Sequence, residues 1–361
     1  VTNDTETNFI IPGNTGSNIA SLGTESHSGS MRYRYDANSD WSLGTIGTFR
    51  QADNYHNYVM GFDTKYKLDQ SNSFTAQILT SDTEYPNELF KDFCNKEGDD
   101  ACESPSEVDC NFANCDYSEQ VLRTMKSGSF SDQAIKFGFL HESEYWYMSI
   151  DHQQIGKDFR ADLGFMTKAD YQKTEAILDR YFYGDESSWW SEFALYGEWN
   201  IKHNENGEFL EKTYAVGAGV NGPMLSYFEY YAYQSDKVGL RHDESMLAID
   251  DNTTLFNLDY MNVNGSFQPR PDLYSEFSYE WGDRIDYSNN RRGEHYEFNA
   301  GITYNLTKHL ELDYSFTTSQ LDAKSIENGI NNYVYKARLD ELRLTYQFDV
   351  KSYLKLNLVY S

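Results

Sequence analysis

The stretch Tyr296-Glu297-Phe298-Asn299-Ala300-Gly301-Ile302-Thr303-Tyr304 decides the fold, because its apolar members fall at every second position. Beyond a short turn from Asn305 to His309 the device repeats. Leu310, Leu312, Tyr314 and Phe316 alternate with Glu311, Asp313, Ser315 and Thr317. Successive side chains of a strand point to opposite faces, so each run has one apolar and one polar face. The two runs form a hairpin whose arms are about the length that a tilted strand needs to cross a bilayer. The same pattern recurs along the chain, with Tyr, Phe and Trp at the ends of the runs. It predicts an all-β, antiparallel transmembrane β-barrel of the outer-membrane kind.

Composition agrees with that reading. The hydrophobic fraction is 39%, and no apolar stretch approaches the roughly 20 residues of a spanning helix. Barrel strands show every second residue to a wet lumen, so a mean hydropathy of -0.72 is compatible with spanning. Thirty Tyr and 22 Phe suit the headgroup level, where an amphipathic ring has one edge apolar and the other wet. Six Pro in 361 residues leave long strands uninterrupted. The formal net charge of -27 excludes a nucleic-acid partner, since phosphates would be repelled; it suits a surface that attracts cations.

Residues 1–26 read as a polar lead-in loop rich in Asn, Thr, Gly and Ser, with Phe9 to Ile11 a short edge. Residues 27–361 read as the barrel. About sixteen strands are expected, within a range of 14 to 18. Asp36 to Asp40 is a turn, Ala52 to His56 a polar loop, Gly222-Pro223 a tight turn, and one strand is expected to start at Ser188. Short connections alternate with longer polar ones, the periplasmic and extracellular ends of such barrels. If the turn at Asp36 is periplasmic, the first strand descends and the last, after Asp349 to Ser352, ascends. Both ends would then lie outside, so the barrel is expected to be incomplete at both ends. Val1 to Asn8 lacks the basic, apolar and small-residue pattern of a signal peptide, which implies a start after processing or inside a longer protein.

Cys94, Cys102, Cys110 and Cys115 all fall in the longest loop, residues 84–129. Clustered cysteines in an exported polar loop imply two disulfides in an oxidising compartment. Zinc is the competing reading, but spacings of eight, eight and five residues with no intervening His match no common zinc pattern. The pairing is open; local pairs would join Cys94 to Cys102 and Cys110 to Cys115. Asp99, Asp100, Glu103 and Asp109 in the same loop are candidate calcium ligands. They lack the spacing of a helix-loop-helix hand, and a solvated acidic face is the plainer reading. No other cofactor is implied.

Alternation assigns Glu276, Glu280, Glu297, Glu311, Asp313, Glu341 and Arg343 to the lumen, together with Ser278, Asn299 and Thr303. Such charges brace a wide barrel through cross-strand pairs and can set ion selectivity. Phe277, Tyr279, Trp281, Ile302, Leu312, Leu344 and Leu356 are expected to face lipid. Arg32, Arg34, Arg338 and Arg343 are expected to face the acidic residues across the pore. Catalysis finds little support: no nucleophile elbow, paired metal-binding His or phosphate loop is present. A hydrolase at the barrel rim is the third reading.

The segment Ile155-Gly156-Lys157-Asp158-Phe159-Arg160-Ala161-Asp162-Leu163-Gly164-Phe165, followed by Asp170-Tyr171, resembles a family of bacterial outer-membrane proteins of unassigned function. Asn57-Tyr58 with Gly61-Phe62-Asp63 is a second shared stretch. The resemblance implies a C-terminal barrel preceded, in that family, by a carbohydrate-binding family-9-like domain. It implies no catalytic residues. Read on its own residues, the segment is a loop bracketed by Gly156 and Gly164, in which Arg160 pairs with Asp158 or Asp162 to fold it back into the barrel.

The function expected from sequence is an outer-membrane barrel of a Gram-negative bacterium, acting as a channel or as membrane anchor and exit route for a surface domain that handles glycans. The alternative is a closed receptor or structural barrel whose loops bind a partner. Expected partners are outer-membrane lipid and lipopolysaccharide, and a glycan or surface protein.

Overall fold

The computed structural model describes residues 2–4, 7–13, 17–86, 128–239, 255–286, 291–324 and 331–361. It contains one antiparallel sheet of seventeen strands and a separate two-stranded hairpin. Among the described residues no helix is long and apolar enough to cross a membrane.

Three short strands open the chain: β1 (Thr2–Asp4), β2 (Thr7–Pro12) and β3 (Ser17–Leu22). Sixteen longer ones follow. They are β4 (Ser26–Asp36), β5 (Trp41–Ala52), β6 (Tyr55–Lys67), β7 (Asn72–Glu84), β8 (Phe130–Glu142) and β9 (Trp146–Ile155). Then come β10 (Tyr171–Tyr183), β11 (Glu192–His203), β12 (Phe209–Gly222), β13 (Ser226–Val238) and β14 (Leu255–Arg270). The set ends with β15 (Leu273–Asp286), β16 (Arg291–Asn305), β17 (Leu310–Lys324), β18 (Asn331–Gln347) and β19 (Tyr353–Tyr360). Each of β4 to β18 pairs with the next in the chain. The expected sixteen runs are these strands.

Register converts alternation into two faces, because directly opposed residues lie on the same side. Ile302, Tyr314, Leu342 and Leu358 are successive partners across four strands. So are Thr303, Asp313, Arg343 and Asn357, one residue along. The same pairing puts Phe277, Tyr279, Trp281, Leu312, Leu344 and Leu356 with Ile302 on the apolar outer face. Glu276, Glu280, Thr303, Asp313 and Arg343 share the inner face. Outer side chains stay uncovered: Met31 is 74% exposed, Phe62 56% and Val216 64%. A soluble sandwich would bury such a face against a second sheet. Here it is left to meet lipid.

The turns at one end are built by side chains that imitate backbone. Asn38 Oδ1 accepts from the amides of Asp40 and Trp41, and Asp69 Oδ1 from those of Ser71 and Asn72. Asp349 Oδ1 does the same for Lys351 and Ser352, and Thr307 Oγ1 for His309 and Leu310. Short polar side chains close such turns locally. Outward aromatic pairs stand just above them, Trp41 with Tyr66 and Phe74 with Phe139. Arg180 stacks there among Tyr145, Trp146 and Phe182 at 4.8–5.1 Å. That is an interfacial girdle.

Several expectations are corrected. The lead-in 1–26 is not simply a loop, for β1 pairs with β4 and β2 with β3. The loop expected at Ala52 to His56 is a two-residue turn, Asp53-Asn54, since Ala52 opposes Tyr55 and Asn54 takes the left-handed φ of 58°. Strand β11 starts at Glu192 because Asp185 Oδ1 holds Ser187 and Ser188 in a turn. Arg338 lies on the outer face: it opposes Thr318, next to the Phe316–Asp340 pair. Five residues separate it from inward Arg343, and an odd offset reverses the side. It pairs with Asp340 at 2.7 Å.

The sheet is not closed. Among the described residues β19 pairs with β18 alone, and the second edge of β4 carries β1 over Ser26 to Ser28.

Candidate functional site: the inner wall and its capped mouth

Above the polar wall, at the end away from the short turns, the segment between β9 and β10 folds inward. Phe159 and Ala169 are buried against Val59, Ala134 and Ile155, with Leu79, Met166 and Tyr171 around them. These strand residues all occupy inner-face positions, so the apolar end of the segment anchors it inside the sheet's curve. Phe9 of β2 arrives from the other side. Its ring meets Tyr55 edge-on at 4.8 Å and Tyr85 at 5.7 Å, while Tyr55 and Tyr85 stack at 6.1 Å.

Polar groups complete this cap. The Tyr55 and Tyr85 hydroxyls donate to the two oxygens of Asp162 at 2.7 and 2.9 Å. The Asp162 amide donates to Asn57 Oδ1, and Asn57 Nδ2 donates to Thr83 Oγ1 and to the Arg160 carbonyl. Arg160 is fully buried; its Nη1 donates to the carbonyls of Lys157 and Phe159, and its guanidinium lies 5.5 Å from the Phe130 ring. Arg50 Nη1 donates to the Asn8 carbonyl, and the Ala169 amide to that of Gly13. Burial pushes the Asp162 carboxyl above its ordinary range, against the tyrosine hydrogen bonds and the Arg160 charge. Burial likewise raises the Tyr85 phenol. Of the loop motif, then, Arg160 and Asp162 sit inside the cap. Asp158 stands at its edge, its amide bonded to Asp132 Oδ2.

Below the cap the predicted lumen residues form two groups. Glu276, Asp313, Glu341 and Arg343 line one recess of about 390 Å³ with Gly301, Thr303, Ser315 and Asn357. Thr303 Oγ1 donates to Asp313 at 2.9 Å. Glu280 and Glu297 directly oppose each other on β15 and β16, a repulsive arrangement. Arg284 and His295 approach Glu280 at 3.7 and 3.4 Å, and Asn299 donates to Glu297. Glu311 lies apart, opposite Asn305 and Thr345 near the short turns.

Buried His295 also lies 3.1 Å from Ser319 Oγ, so an acid, a histidine and a serine stand in line. Arg284 Nη1 is 2.8 Å from the same His295 Nε2. That occupies the nitrogen a serine nucleophile would need as its base. The cluster reads as a polar brace of the wall.

Sequence reasoning missed a row of inward tyrosines on β11 to β14, Tyr196, Tyr231, Tyr233 and Tyr260. The signal was available, since Tyr231 and Tyr233 share parity with Glu229. The preference of tyrosine for the headgroup level points to a girdle instead. Cys94, Cys102, Cys110 and Cys115, and Asp99, Asp100, Glu103 and Asp109, lie outside the described residues.

A sheet with an uncovered apolar outside, an aromatic girdle and a charged inside has one solvent arrangement that suits it. This is the wall of an outer-membrane β-barrel. No known family's model matches the chain and no curated protein matches it, so the resemblance to barrels with a carbohydrate-binding domain gains no support. Among solved structures, 68 chains match. A mutant ferric enterobactin receptor of Pseudomonas aeruginosa shares 10% identity at a TM-score of 0.46, covering 99% of this chain and 61% of its own. The outer membrane protein OpdK of the same organism shares 10% at 0.45, covering 98% and 97%. The outer-membrane expressed OmpT of Vibrio cholerae shares 8% at 0.39, covering 92% and 90%. The chain thus spans about three fifths of the receptor it matches.

Proposed function

We propose that this barrel is a water-filled channel that prefers cations. The observation that carries the reading is the inner wall of β10 to β16. Glu175, Asp179, Glu198, Glu229, Glu276, Glu280 and Glu297 all take inner-face positions there, among Ser, Asn and Gly. Carboxylates along a wet wall concentrate cations at the mouth, and salt screens that preference. Basic inner residues sit on β4 to β8, with Arg32, Arg50, Lys65 and Lys136, and toward the capped end of β10, β11, β13 and β15, with Lys173, Lys202, Lys237 and Arg284.

Reversal potentials across a potassium chloride gradient in planar bilayers test the reading. A positive cation preference that falls with rising salt supports it. Anion selectivity overturns it, as does absence of conductance from well-inserted protein. The cap favours a second reading, a closed receptor or membrane anchor whose mouth binds a partner, because β2 and residues 156–170 pack inside the curve of the sheet. Under that reading a glycan-handling surface domain is the passenger suggested by the family resemblance; oligosaccharide binding to the intact protein would test it.

A further inference from the structure

The rings of Tyr196, Tyr231, Tyr233 and Tyr260 form one row across the inner wall. Centroids lie 5.3 Å apart from Tyr196 to Tyr231, 5.7 Å from Tyr231 to Tyr233 and 4.6 Å from Tyr233 to Tyr260, with interplanar angles of 15°, 26° and 6°. The row passes from β11 over β12 to β13 and β14, and β12 is stripped of bulk where it passes. A Cβ on Gly217 would stand 2.6 Å from the Tyr231 ring, and one on Gly219 would stand 2.6 Å from the Tyr196 hydroxyl. Bracing of ring on glycine accounts for Tyr196 and Tyr231. It does not account for Tyr233 and Tyr260, which stack on each other.

Acidic residues flank the row. Glu198 is two residues from Tyr196, Glu229 is two from Tyr231, and Glu280 opposes Asn262 beside Tyr260. Tyr227 donates to Glu229, and Asn264 Nδ2 reaches Glu229 at 3.1 Å. From Lys202 and Lys237 near the capped end down to the short turns, no inner-face position of β11 to β14 carries lysine or arginine. The wall therefore offers ring surface and negative charge together; the cation that reaches its carboxylates is Arg284 of β15, 3.7 Å from Glu280.

We propose that this row is a binding track for a linear organic polycation of the polyamine class. Ammonium groups pair with the carboxylates and lie against the electron-rich rings, and the methylenes between them cover the apolar ring surface. An anion is repelled, a neutral solute makes no use of the charge, and a bare metal ion makes no use of the rings. Three strand spacings from β11 to β14 amount to roughly 14 Å, the span of an extended chain with several amines. The inference deepens the channel reading by naming a solute class, yet binding needs only the wall.

Equilibrium dialysis of labelled spermine against the folded protein in detergent micelles tests it. Saturable binding is expected that weakens about tenfold in the triple variant E198Q/E229Q/E280Q and severalfold in Y233L/Y260L, while heat-modifiable gel mobility shows both variants folded. Equal binding by wild type and the triple variant overturns the proposal, as does a neutral oligosaccharide bound with the same dependence where spermine is not. Spermine block of single-channel current is the separate readout. Binding without conductance leaves the track standing and removes the channel; conductance without binding does the reverse.

Discussion

The Tyr85 hydroxyl lies 2.9 Å from an Asp162 oxygen, joining the end of β7 to a residue 77 positions further on. With Tyr55 at 2.7 Å on the other oxygen, the carboxyl is fixed from two strands at once. Removing either donor leaves a buried acceptor unsatisfied, which costs about 1–3 kcal/mol. Y55F and Y85F should each loosen residues 156–170, seen as faster amide exchange in that segment and unchanged exchange in β13 to β17. Uniform protection would show that the apolar anchor at Phe159 holds the segment alone.

The same carboxyl gives the cap a pH dependence. Burial raises its folded pKa above the unfolded value, so the folded state binds the proton more tightly. The stabilisation is full below the unfolded pKa of about 3.8 and is lost as pH rises through the raised folded value. Exchange in 156–170 should therefore slow on acidification from neutral pH. D162N, which cannot ionise, should flatten this pH response once intrinsic exchange is corrected for. A steeper response in the variant would place the titrating group elsewhere.

How much of this was legible follows from where each contact comes from. The strand from Arg291 to Asn305 could be read because Tyr296 to Tyr304 alternate within nine consecutive residues, and face follows from parity. The place of Arg338 was legible too, since its odd offset from Arg343 excludes a shared face. The cap was not legible in the same way. Asn57 meets Arg160 across 103 residues, and Phe9 meets Tyr55 and Tyr85 only after two strands and an inward fold have been placed. Such contacts leave no local period. Gly156 to Gly164 announced a loop that folds back, which it does, but not which residues would receive it.

The outer face should reject charge. L344R places a guanidinium between outward Leu312 and Leu356, at a cost that grows with depth toward the about 2–4 kcal/mol of the midplane. T345R, one residue along, turns the same group inward and should cost far less. Urea titration of refolding into vesicles measures both. Equal losses would contradict the assignment of faces.

The unpaired edges make the last prediction. Unsatisfied backbone amides and carbonyls are not tolerated against hydrocarbon, so a spanning sheet cannot keep open edges there. Sixteen consecutive antiparallel strands leave β4 and β19 running in opposite directions, the arrangement direct pairing requires. Their outer faces also agree, with Met31, Tyr33 and Tyr35 on one and Leu354, Leu356 and Leu358 on the other. Parity then demands that odd residues of β4 oppose even residues of β19. In vesicles, cysteine at Tyr33 should cross-link on oxidation to cysteine at Leu356 or Leu358, both outward, and not at Asn357, which faces inward. A ladder in which no pair forms would mean that another strand fills the seam, and that the barrel wall holds more than these sixteen strands.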